Sequence, residues 1–304
     1  MAKILVGTCS WTDKELIEAG TFYPLEANTV EKRLRYYASQ FPLVELDSCY
    51  YAMPSERTSQ LWVDRTPPGF TFNIKSFSLF THHPTKVSAC PSDIAKSLPP
   101  RPEGKPNLYY RDVPLELQEE LWRRFSKAIA PLYAAGKLGV VLLQFPKWVH
   151  PSSMTKDYIL EAREWLRPYS VAVEFRSVSW FGDKAEKETL KFLNEHKLPY
   201  VCVDEPQGFK SSVPPVAEAT ADLALVRFHG RNADTWEKPG LTPSQRFDWY
   251  YKAEELQEWL PRIQLLAEKT NSVHLLVNTN HRDQGTVNAR LLKSIITQAS
   301  FGVG

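Results

Sequence analysis

With 304 residues and ordinary apolar content, the chain is long enough for two small domains or one large α/β barrel. Its formal charge of +2 is too small to predict a nucleic-acid partner, although local basic patches stay open. No run reaches transmembrane length, and the opening MAKILVGTCSW has no long apolar leader core, so the expectation is a soluble, cytoplasmic protein with no membrane partner.

Apolar runs rich in Val, Ile, Leu and Phe recur eight times, at 3–9, 43–49, 70–75, 138–145, 170–175, 199–204, 223–229 and 272–278. Most are nearly continuous, which suits parallel strands covered by helices. Helical spacing fills the intervals. Val30, Leu34, Tyr37 and Phe41 follow a Thr29 N-cap candidate, and Leu117, Leu121, Phe125 and Leu132 repeat further on. Leu256, Trp259, Leu260, Ile263 and Leu266 form a third stripe; Val287, Leu291 and Ile295 form the last, after Thr286. Segment 205–221 has little helical pattern, so a short or missing sixth helix is expected. Eight strands alternating with helices predict an α/β fold, a (β/α)8 TIM-type barrel, as a single domain over 1–304. A doubly wound open sheet is disfavoured by the strand count and by the lack of a Gly-rich turn after the first strand. Two intervals exceed simple βα connections: 76–114, read as a long loop insertion after strand three that forms a lid over the mouth, and 230–248. No Gly/Ser linker divides the chain. Cys9, Cys49, Cys90 and Cys202 form no CxxC and read as reduced thiols.

Five of these runs end in polar residues spaced two apart: Glu45/Asp47, Asn73/Lys75, Glu174/Arg176, Arg227/His229 and Asn278/Asn280. Alternate strand residues point the same way, so each pair shares a face. Gln144 and Asp204 join by the same parity. Such a set predicts a polar site at the C-terminal mouth, where barrel enzymes react. The competing reading is a self-satisfied ion-pair network, Glu174 with Arg176 or Arg227 and Asp204 with Lys75.

Lys75, Arg176, Arg227 and His229, with Arg231 just beyond, offer donors that suit phosphate or carboxylate. Asn278 and Asn280 suit hydroxyls or amides. Glu45 and Glu174 could divide acid and base roles. Glu45, Asp47, Glu174, Asp204 and His229 are also potential ligands of a divalent metal, although the nearby cations oppose one and no HExxH, HxH or DxD cluster occurs. Of adjacent His82 and His83, one is expected to line the mouth, and His82 is the choice. Trp11, Tyr50, Tyr51, Phe145, Trp180 and Trp236 crowd the same end; Trp11 and Tyr50 are selected for ligand contact because they directly follow strands one and two.

Several motifs carry a resemblance: GTCSW at 7–11 with FYP at 22–24, VELDSCYYAMPS at 44–55, FNIKS with TH at 81–82, KLGVVLLQFP at 137–146, VEFRSVSW at 173–180 and RFHGRN at 227–232. In this order, over nearly the whole chain, they resemble the YecE-like proteins, classed as domain of unknown function seventy-two. The resemblance implies the same barrel and a shared polar site, but no reaction. The barrel is similar in outline to endonuclease IV-like and sugar-isomerase-like proteins. One departure is VNTN at 277–280, where Thr279 replaces the second of two asparagines.

The functional expectation is an enzyme, of hydrolase, isomerase or lyase type, acting on a small anionic, phosphorylated ligand. Lys75, Arg176 and Arg227 would hold the anion, Glu174 or Glu45 would be the base, and His229 the acid. No cofactor is expected beyond an optional divalent metal. The alternatives are a nucleic-acid-binding or phosphodiester-cleaving protein and a non-catalytic ligand sensor.

Overall fold

The computed structural model describes residues 2–100, 106–182 and 184–299. Eight parallel strands form a barrel: β1 (Lys3–Cys9), β2 (Leu43–Leu46), β3 (Thr71–Lys75), β4 (Leu138–Phe145), β5 (Val171–Phe175), β6 (Val201–Asp204), β7 (Leu223–Phe228) and β8 (Ser272–Val277). Hydrogen bonding runs in the order β5-β4-β3-β2-β1-β8-β7-β6. The circle is closed between β5 and β6 by one parallel bridge, Val173 to Tyr200. Nearly every strand residue is buried, because helices cover the outside and side chains fill the inside.

The long helices are α1 (Val30–Gln40), α2 (Glu56–Asp64), α3 (Leu115–Ala134), α4 (Ser153–Trp165), α5 (Ala185–Glu195), α6 (Leu260–Lys269) and α7 (Gln284–Gln298). Thr29, Ser55 and Ser152 cap three of them by accepting a backbone N–H three residues on. No helix covers 205–222, where the sequence lacks an apolar stripe. The stripe at 256–266 is split into a short helix, Ala253–Gln257, and α6. Pro261 explains the break, since it has no N–H to continue a helix but fits a first turn. No described helix is long and apolar enough to cross a membrane.

Gly7 is where the first two strands touch. A Cβ there would stand 2.0 Å from the Leu43 carbonyl oxygen. Deeper in the barrel, Gly139 leaves room for Asn73, whose Oδ1 accepts the Val140 N–H at 3.3 Å and lies 3.1 Å from His274 Nδ1. Burial pushes His274 down to about 4, so its neutral ring donates Nδ1–H to that oxygen. Asn73 thus belongs to an interior layer below the mouth, not to the expected ligand set.

Segment 76–114 was expected to lie over the mouth; residues 101–105 of it lie outside the described residues. The remainder folds as 3-10 turns, the helix Ser92–Ser97, and two two-residue strands, Thr85–Lys86 and Asn107–Leu108, paired antiparallel. It is pinned to α3: Phe80 stacks on Trp122 at 3.6 Å, Trp122 Nε1 donates to Tyr110 Oη, and Arg124 grips Asp93. It reaches the mouth through His83, and the second long segment reaches it through the short helices Ala233–Trp236 and Pro243–Arg246.

Candidate functional site

Arg227 is the centre of the barrel's upper floor. It projects inward from β7, fully buried, and its two terminal nitrogens donate at 2.6 Å to Glu45 Oε1 and Glu174 Oε2. Glu174 Oε1 accepts from Gln144 at 2.6 Å and Arg176 at 3.2 Å, and lies 3.1 Å from His229 Nε2. The other histidine nitrogen lies 2.9 Å from Asn278 Nδ2, an amide that can only donate. His229 is therefore the Nε2–H tautomer, giving one proton to Glu174 and accepting one from Asn278.

The electrostatics fit that assignment. Burial would raise the Glu174 carboxyl, but Arg227 beside it overrides burial and holds it well below the usual range. Burial pushes His229 down to about 3, so the ring stays neutral. Glu45 goes the other way, up to about 7, through burial and the Asp47 charge against the opposing pull of Arg227. Its Oε2 is buried and has no hydrogen-bond partner among the described residues. The residues expected to act as base and acid are thus matched mainly to one another beneath the mouth.

The structure changes the placement of two residues, Asp204 at the end of β6 and Arg231 beyond β7. The register pairs Val203 with Arg227 and Asp204 with Phe228, so Val203 faces inward and Asp204 outward. Asp204 accepts from Tyr251 Oη and Trp259 Nε1 at 2.6 Å each, and from Arg231 at 2.7 Å. Arg231, turned away after Gly230 (φ 84°), also reaches Glu258 at 2.9 Å. Both belong to the contact between barrel and outer helices, not to the ligand site. Glu205 takes the inward place instead. Its Oε1 accepts the Val213 N–H at 2.7 Å, and its Oε2 lies 3.3 Å from Arg176. Burial raises this carboxyl to about 7 against the pull of Arg176.

Above the floor opens a cavity of about 570 Å³. Of the expected residues, Asp47, Tyr50, Lys75, Gln144, Arg176, Asn278 and Asn280 line it. Asp47 follows the strand rather than ending it, at the head of the helical turn Ser48–Tyr51. Its Oδ1 lies 3.9 Å from both Lys75 and Arg227. Lys75 sits 4.7 Å above the Tyr50 ring, and the Arg176 guanidinium 4.6 Å from the Trp236 ring. Trp148, Lys147, Arg246 and Phe247 add walls that the sequence reading did not select.

Two further choices are corrected. His83, not His82, lines the cavity, with its ring 5.2 Å from Tyr50 and 5.9 Å from Trp148. His82 adopts φ 61°, which turns its ring away to pack 4.4 Å from Tyr158. Trp11 is buried edge-on against Trp62 and does not line the mouth.

Of the potential metal ligands, Glu45 and Asp47 come within ligand spacing of each other. Among the described residues the one cluster with ligand spacing is Cys9, Glu45 and Asp47. Arg227 Nη2 already stands among these atoms, 2.6 Å from Glu45, 3.6 Å from Cys9 and 3.9 Å from Asp47. A guanidinium therefore supplies the positive charge that the cluster calls for. Burial keeps the Cys9 thiol well above its usual range, hence neutral.

Comparison with known proteins fits this architecture. The chain is 29% identical over 297 residues to the UPF0759 protein YunF of Bacillus subtilis (strain 168), covering 96% of this chain and 94% of that protein. It superimposes on a DUF72 family protein from Thermotoga maritima MSB8 with a TM-score of 0.75 and 29% identity, covering 97% and 99% of the two chains. A DUF72 family protein from Enterococcus faecalis V583 matches with a TM-score of 0.73 and 26% identity, covering 98% of each. Residues 5–302 match the family described as "Protein of unknown function DUF72", and the chain belongs to that family.

Proposed function

We propose that this protein is an enzyme acting on a small anionic, phosphorylated ligand held in the cavity at the C-terminal mouth. One observation carries the reading: Lys75 and Arg176 open into the same cavity with hydrogen-bonding capacity to spare. Among the described residues no acid lies closer to Lys75 than Asp47, at 3.9 Å. Arg176 uses Nη1 for Glu174 and Glu205, and among the described residues no acceptor takes its Nη2 or Nε. Lys147 and Arg246 add positive charge, so four cationic side chains face two acidic ones, Asp47 and Glu237, around the wall. Aromatic faces at Tyr50, Trp148, Trp236 and Phe247 suit the apolar side of a sugar or a planar ring. Arg227 leaves the anion-binding set, because both of its terminal nitrogens are committed to buried carboxylates. Its role, with Glu45, Glu174 and His229, is to fix the floor that carries Arg176, Gln144 and Asn278.

A thermal-shift and calorimetric screen of phosphate, pyrophosphate and sugar phosphates tests the reading. Ligand binding raises the melting temperature of the wild type. Lys75→Ala and Arg176→Ala should each weaken binding tenfold or more, about 1.4 kcal/mol for one charge-assisted contact. Equal affinities in wild type and both variants would remove the cavity from consideration. Oligonucleotide binding that weakens steeply with salt would favour nucleic acid instead, and tight binding without turnover a sensor.

A further inference from the structure

Among the cavity's lining groups, His83 alone pairs an imidazole with a fixed partner on its inner side. Its Nδ1 lies 2.9 Å from Thr81 Oγ1, and the same hydroxyl lies 3.3 Å from the Ser78 carbonyl oxygen. Thr81 is buried and has a single proton to give. A carbonyl can only accept, so both contacts are hydrogen bonds in one arrangement: His83 Nδ1–H donates to Thr81, and Thr81 O–H donates to Ser78. The ring's other nitrogen is then an unprotonated acceptor. Among the described residues nothing donates to Nε2, and His83 itself lines the cavity.

We propose that His83 is the proton-accepting group of this cavity, its Nε2 lone pair meeting the ligand that Lys75 and Arg176 hold. The inference rests on the anion-site reading above. In the step it serves, a ligand O–H bond breaks and an N–H bond forms at Nε2. The electron pair stays on the ligand oxygen, whose new negative charge lies beside the two cations. Thr81 and Ser78 do what an orienting acid does in a catalytic triad: they fix the tautomer and the ring plane.

The surrounding charges make the base ligand-dependent. Lys75 on β3, Arg176 beyond β5 and neighbouring His82 face His83, with the Tyr50 and Trp148 rings completing its surroundings. Burial, with Lys75, His82 and Arg176, pushes the imidazole down to about 3. An anion seated between Lys75 and Arg176 cancels their repulsion and attracts a proton, so occupancy strengthens the base.

Long-range nitrogen–proton NMR of the imidazoles tests this, with His83→Gln and His82→Gln supplying assignments and pyrophosphate as probe. In the free protein His83 should be the Nδ1–H tautomer and stay neutral throughout pH 5–8. With pyrophosphate its midpoint should rise to roughly pH 5–6, and calorimetry at pH 5.5 should record proton uptake that His83→Gln loses and His82→Gln keeps. An Nε2–H tautomer in the free protein overturns the inference. So does pyrophosphate binding, lost in Lys75→Ala, that leaves His83 unmoved; the anion-site reading then stands alone. Absence of any anion binding overturns that reading first, and this role with it.

Discussion

The floor of the mouth and its walls use the same residue types to opposite ends. On the floor, Arg227, Glu45, Glu174 and His229 are fully buried and most of their polar atoms are taken by one another. On the walls, Lys75, Arg176 and His83 are only partly covered and keep donors or lone pairs unused. A buried charge has to be matched inside the protein, whereas a charge at a cavity edge can be matched by what enters. Polarity at strand ends is thus two things at once: a scaffold below and a receptor above.

The hardest test of the comparison is Arg227→Leu. It strands two buried carboxylates and should destabilise the fold by about 3–5 kcal/mol in urea unfolding. Adding Glu45→Gln and Glu174→Gln should recover much of that loss; no recovery would mean the floor is not an electrostatic unit. Asp204→Asn, in the outer contact, should cost about 2 kcal/mol, since one amide oxygen replaces two carboxylate oxygens facing Tyr251, Trp259 and Arg231. Ligand affinity should hardly move, and a large loss would return Asp204 to the mouth. Lys75→Ala should change unfolding by less than about 1 kcal/mol while binding falls, which separates wall from floor.

The smallest effect concerns pH. The Glu205 carboxyl rises from an ordinary 4.5 to about 7 in the fold. Between those values the folded state holds a proton that the unfolded chain releases, so this contribution is present below pH 4.5 and lost as pH rises through 7. His229 runs oppositely: lowered to about 3 from 6.5, it contributes above 6.5 and loses that as pH falls through 3. Glu205→Gln removes the first dependence alone. Its stability relative to wild type should climb between pH 5 and 7 by a fraction of the roughly 1.4 kcal/mol per pH unit that one proton carries. A flat difference would leave Glu205 unprotonated throughout.

The barrel was legible because each strand announces itself as an apolar run between helical stripes. Parity then placed Glu45, Lys75, Gln144, Glu174, Arg227 and Asn278 on the inner face. It failed where the phase of a strand could not be fixed. VCVDE carries adjacent acids, and only the pairing of Val203 with Arg227 shows that Glu205 rather than Asp204 turns inward. The histidine choice failed similarly, since the φ of 61° at His82 decides which ring enters the cavity. Neither signal is local in sequence. Depth was invisible too: Asn73 and Lys75 share a face, but one is a full layer below the other.

The single backbone bridge between β5 and β6 has a consequence for how the cylinder stays shut. Beyond Val173 and Tyr200, that seam is also spanned near the mouth by the Arg176–Glu205 ion pair at 3.3 Å and by the Val178 N–H donating to the Lys210 carbonyl oxygen at 3.0 Å. Whatever docks on Arg176 therefore pulls on the clasp of the barrel itself. Occupancy should lengthen amide-exchange lifetimes along 199–203, which do not line the cavity.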